Sequence, residues 1–101
     1  MVHVVENRTD LEGVVLSRAP DRERAGYDVV DIDVRRATPV TGYADLLSSR
    51  AGGHLAVRIR RDLLPGGRLE GAAIRCRAFL GGPGVVLAET TTEHLSVTPP
   101  A

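Results

Sequence analysis

From Tyr27 to Ala37 the chain alternates between apolar and polar positions. Val30, Ile32 and Val34 fall on one face, and Asp31, Asp33 and Arg35 on the other. That period of two is the signature of a strand with one buried face. Val29 interrupts the polar face and is expected near an edge or under a loop. The alternation returns at 54–61, with Leu55, Val57 and Ile59 opposed to Ala56, Arg58 and Arg60. It returns again at 70–80, with Ala72, Ile74, Cys76, Ala78 and Leu80 opposed to Arg75, Arg77 and Phe79. Residues 11–17 form an apolar, β-branched run with Gly13 inside it, and a glycine within a strand marks a bulge or a sharp bend. Residues 85–89 predict a last main strand. Residues 94–98 predict a short edge strand that Pro99 and Pro100 bring to an end.

The intervening stretches read as connections. Residues 18–26 make a polar hairpin link that contains Pro20 and closes on Gly26. Residues 38–53 break the β pattern; a short helix is predicted over 43–50, stopping at Gly52-Gly53, with Tyr43, Leu46 and Leu47 closing one end of the core. Turns are predicted at Pro65-Gly66-Gly67 and at 81–84, Gly-Gly-Pro-Gly. The expected fold class is therefore all-β: a small five- to six-stranded antiparallel barrel with one short helix or helical turn. Closure into a barrel removes exposed strand edges. The chain is expected to form one domain over 1–101, with 90–101 a tail that adds an edge strand or is disordered.

Several features together resemble an OB-fold: Gly13 in the first strand, the alternating second strand, the hairpin-like link to the third, the approach through 52–59, the turn at 63–71 and the final hairpin through 81–84. The resemblance spans roughly 10–90. The helix usual between the third and fourth strands has no room here, and the best helix candidate precedes the third strand instead. SH3-like and other small barrels stay open for that reason. The resemblance implies a ligand surface on the outside of the second and third strands with their flanking loops.

Composition bounds the chemistry. Hydrophobic residues make up 43% and charged residues 26% of the 101 positions, an ordinary globular balance. The formal net charge is zero, so no global positive field draws in nucleic acid or an anionic membrane. No apolar run approaches the ~20 residues of a membrane span. The N-terminus lacks the basic-then-apolar pattern of a secretory signal, and the expected compartment is the cytoplasm. All 13 basic side chains are arginine. That reflects either coding bias or selection for planar, bidentate recognition of carboxylate or phosphate. Residues 1–33 hold eight acids against four arginines, whereas 34–61 hold six arginines against one acid.

The candidate binding residues are Arg35, Arg58, Arg60, Arg75 and Arg77, with Tyr27 and Phe79 as aromatic neighbours. Two readings of this arginine face stand side by side. It is a ladder of cross-strand ion pairs with Asp31 and Asp33, or a ligand groove. Single-strand nucleic-acid binders combine a basic groove with aromatic platforms; this chain has no Trp, one Phe and two Tyr. No catalytic residue, metal site or cofactor is expected. Asp31 and Asp33 lack further oxygen ligands, and His3, His54 and His94 lack metal spacing and read as surface histidines. Cys76 reads as a small buried hydrophobe, and neither G-x-S-x-G nor a P-loop occurs. No inward-facing polar residue is evident from the alternation. The expected function is a non-catalytic binding module for a protein partner or a second copy of itself. Single-stranded nucleic-acid binding is the alternative, and a small barrel enzyme or ligand carrier comes third.

Overall fold

The computed structural model describes residues 5–100. The alternating runs form β1 (Thr9–Pro20), β2 (Tyr27–Pro39), β3 (His54–Arg60), β4 (Ala73–Gly82), β5 (Val85–Ala88) and β6 (Ser96–Thr98). The sheet runs β1-β2-β3-β5-β4-β6, and β1 pairs additionally with β4. The first five strands thus close into a barrel, consistent with an OB-like barrel, and β6 lies outside it. All pairings are antiparallel except β3 with β5, which run parallel. The barrel is therefore mixed rather than purely antiparallel. The parallel contact follows from the connection between β3 and β4, which crosses the end of the barrel instead of making a hairpin.

The inward set is the one that alternation marks. Val30, Ile32, Val34, Leu55, Val57, Ile59, Ile74, Cys76 and Ala78 are buried in a single core with Leu11 and Val15. Each fully buried Val, Leu or Ile stabilises the fold by about 1.5–3 kcal/mol relative to exposure. The helix expected over 43–50 is reduced to a 3-10 turn at Ser48–Arg50. Asp45 explains why. Its carboxylate accepts from Thr9 Oγ1 at 2.8 Å, from Ser48 N at 3.1 Å and from the Ser48 hydroxyl. These bonds fix a turn and seat Leu47, not Tyr43 or Leu46, in the core; the latter two are exposed. At the opposite end, the link after β3 begins with a 3-10 turn at Arg61–Leu63 and inserts Leu64 and Leu69 into the core, which plugs the barrel where a helix was not expected.

Strand β1 is shared. Thr9–Val14 pair with Ala78–Ala73 of β4, while the whole strand pairs with β2. At Gly13 the β1–β2 register slips: Glu12 faces Arg36 and Gly13 faces Val34, so Arg35 is the extra residue of a bulge. A Cβ on Gly13 would fall within the van der Waals shell of the Asp33 carbonyl oxygen and 2.9 Å from Ile32 Cγ2. A second slip leaves Leu16 without a partner on β2, and Leu16 is exposed. No helix among the described residues is long and apolar enough to cross a membrane.

Gly13→Ala is expected to lower unfolding free energy by about 3 kcal/mol, because the contact is with backbone that has no room to relax. Gly66→Ala meets nothing within 4 Å, and is expected to be neutral or stabilising by about 0.5 kcal/mol. Urea unfolding of the two variants beside the wild type checks the difference.

Candidate functional site

On the outside of β2 and β3, Tyr27 faces Arg60, Val29 faces Arg58, Asp31 faces Ala56 and Asp33 faces His54. Arg58 and Arg60 therefore do not oppose Asp31 and Asp33. Arg58 Nε instead lies 3.3 Å from Asp21 Oδ2, delivered by the turn after β1, and this pair is mostly buried, with side chains 23% and 5% exposed. Arg60 Nε donates to Asp62 at 3.1 Å, and Arg35 Nε to Asp33 at 3.0 Å. Asp31 is met by the Ser17 hydroxyl at 3.4 Å. The ladder of ion pairs exists, but with carboxylates supplied by flanking turns and same-strand neighbours.

Arg75 and Arg77 belong to a different face. β4 is not a neighbour of β3, so these two arginines do not join Arg58 and Arg60 in one patch. They project outward beside β1, and the register lines up two rows across the strands. The first runs Arg36–Glu12–Arg75–Ser96 and the second Thr38–Asp10–Arg77. In the second row Arg77 donates twice to Asp10, at 2.8 and 3.2 Å. In the first, Glu12 sits between Arg75 Nε at 3.1 Å and Arg36 Nη1 at 3.8 Å. The segment 93–96 rises beside these rows to wall a groove of about 500 Å³.

Arg36 is the site residue that alternation misses. Continued period two would turn it inward, opposite to Arg35. The bulge at Gly13 places both on the surface, with Arg36 74% and Arg35 65% exposed. The signal was present in the sequence: two consecutive arginines on a strand cannot alternate without burying a charge, which only a bulge or a strand end avoids.

The aromatic rings are engaged. The Arg8 guanidinium stacks over Phe79 at 4.5 Å and over Tyr43 at 5.2 Å, while its Nε donates to Glu89 at 2.8 Å. Tyr27 carries Arg24 on its ring at 5.4 Å. Tyr27 and Phe79 are thus not neighbours in one platform: the first opens β2, and the second lies on β4 beside the N-terminal segment. His94 Nδ1 approaches Glu89 at 3.5 Å, His54 is exposed at the head of β3, and His3 lies outside the described residues.

The interior does hold polar groups, contrary to the alternation. Asn7, Thr9 and Asp28 are buried. Asn7 clamps Leu80 through both backbone groups, at 2.8 and 3.1 Å. Asp28 accepts from Arg18 Nε at 2.7 Å and Arg61 Nε at 2.8 Å, and Arg18 also donates to the Pro65 and Gly67 carbonyls. These groups hold the two ends of the barrel. Cys76 is buried in the core, where burial and then the nearby Asp10 charge push its thiol up to about 12, far from a reactive thiolate. Among the described residues no cluster of His, Cys, Asp and Glu is placed to hold a metal ion.

Fold and surface together define a small closed β-barrel with a charged outer face of both signs. No protein-family model, curated protein or solved structure matches the chain.

Burial works to raise the Asp28 carboxyl, but the hydrogen bonds and charges of Arg18 and Arg61 outweigh it and hold the group below its ordinary 3.8. A depressed folded value means that its stabilisation is complete above about pH 3.8 and is lost as pH falls through the folded value. Asp28→Asn is expected to cost about 3 kcal/mol at neutral pH, because it leaves Arg18 buried without its partner. It should also flatten the acid limb of the stability curve. Urea midpoints taken from neutral pH down to about pH 3 in both proteins check this.

Proposed function

We propose that the chain is a non-catalytic, OB-like binding module whose partner is a protein, either a different chain or a second copy, engaged through the charged outer strand face. What carries this reading is the pair of charge rows over β2, β1 and β4, in which guanidiniums and carboxylates of both signs hold one another in register. A two-signed, prearranged pattern of this kind favours partner choice and register, and arginine is enriched at interfaces. The same observations count against single-stranded nucleic acid. Acids interleave with the arginines, and Phe79 and Tyr43 each already carry the Arg8 guanidinium on the ring, where a stacking platform would carry a base. The strand-order likeness to OB-type barrels supports the placement of a ligand on an outer face and no particular ligand.

The test uses the wild type and the double variant Arg36→Glu/Arg75→Glu, which changes the two exposed arginines of the first row and leaves the buried Arg58–Asp21 pair intact. Sedimentation velocity reads self-association, and in-cell cross-linking reads a second chain. A contact made by the wild type and lost in the folded variant is the expected result; identical behaviour of the two overturns the reading. A labelled single strand of about 15 nucleotides at low salt is expected to show no saturable binding. Tight, strongly salt-dependent binding would contradict the protein reading in favour of nucleic acid.

A further inference from the structure

Resting on the protein-binding reading, we propose that the groove over β1, β2 and β4 docks an acidic segment of the partner, with Arg36 and Arg75 taking its carboxylates. The two charge rows differ in how far their donors are spent. In the second row, one arginine meets one carboxylate through two hydrogen bonds, at 2.8 and 3.2 Å. In the first row, two guanidiniums share the single carboxylate of Glu12. The Arg36 approach, at 3.8 Å, lies beyond hydrogen-bond reach. Arg36 and Arg75 are 74% and 72% exposed. Each guanidinium carries five N–H donors in a fork that matches a carboxylate. Arg36, Glu12 and Arg75 together carry one net positive charge with most of ten donors unspent, and Glu93 on the wall offsets that charge from the other side.

The surroundings fix the partner's chemistry further. Thr38 and Ser96 add hydroxyls to the lining, and the volume of about 500 Å³ accommodates a few side chains of an extended segment. A basic segment would have to take Glu12 from two arginines already beside it. Glu93, on the wall, forms no ion pair among the described residues. It repels an acidic ligand from that side, so the segment enters over Arg36.

The probe is a labelled, end-capped Glu-rich peptide of about eight residues, titrated at about 50 mM salt and again at about 300 mM. The wild type is expected to bind it, more weakly at the higher salt. Arg36→Gln/Arg75→Gln, with both changes at exposed positions, should weaken binding about tenfold. Arg35→Gln/Arg60→Gln should leave it within about twofold, and Glu93→Gln should tighten it about twofold. A wild type that does not bind the peptide overturns the docking site, while the cross-linking comparison above still stands on its own. Equal losses in the two arginine pairs overturn it as well, because attraction is then diffuse. Displacement of the peptide by a short oligonucleotide at equal concentration would also overturn it, pointing to phosphate rather than carboxylate.

Discussion

The architecture depends on the close approach of two backbones at Gly13. β1 must pair with β2 along its length and with β4 over Thr9–Val14. At the point where it bends between them, the Asp33 carbonyl occupies the space that a side chain would need. Glycine supplies that space, and the bend closes the barrel. The same bulge shifts the outward set of β2 by one residue, so that Arg36 comes into line with Glu12 and Arg75. Closure and the charge row on the surface thus share one cause.

The polar groups inside the barrel serve its ends. At one end Asp45 ties Thr9 to the turn that seats Leu47, and Asn7 fastens the N-terminal segment to Leu80. At the other, Asp28 binds two arginines, and Arg18 reaches on to the carbonyls of the loop that carries Leu64 and Leu69. Such buried ion pairs contribute little net stability, yet are costly to break singly. On the outside, most arginines rest on an acid. That arrangement trades long-range attraction for a fixed pattern. Under the proposed reading, it suits selective contact with a complementary surface better than capture of a polyanion.

Much of this was legible in the sequence. Strict alternation identifies the buried faces of β2, β3 and β4, because a half-buried strand leaves no other solution. Gly13 inside an apolar run announces the bulge, and the glycine-rich stretch at 81–84 announces the β4–β5 hairpin, in which Gly82 faces Val85. What stayed hidden depends on contacts distant in sequence. The parallel β3–β5 contact follows from how the chain crosses the barrel end. The choice of a 3-10 turn over a helix follows from Thr9 reaching Asp45, 36 residues away. Asp28 breaks the inward apolar pattern in plain view, yet its burial makes sense only once Arg18 and Arg61 are seen to meet it. Alternation alone sets Arg58 against Asp31 and Asp33, whereas the register together with the turn holding Asp21 gives it another partner.

In the proposal, binding falls on the face where the Gly13 bulge sets Arg36 beside Arg75, and not on the outer face of β2 and β3. Amide chemical-shift mapping of the intact, isotope-labelled chain with the Glu-rich peptide addresses this directly. Shifts are expected to be confined to Asp10–Glu12, Arg36–Thr38, Arg75 and Glu93–Ser96. Shifts centred instead on Tyr27–Asp33 and His54–Arg60 would contradict it.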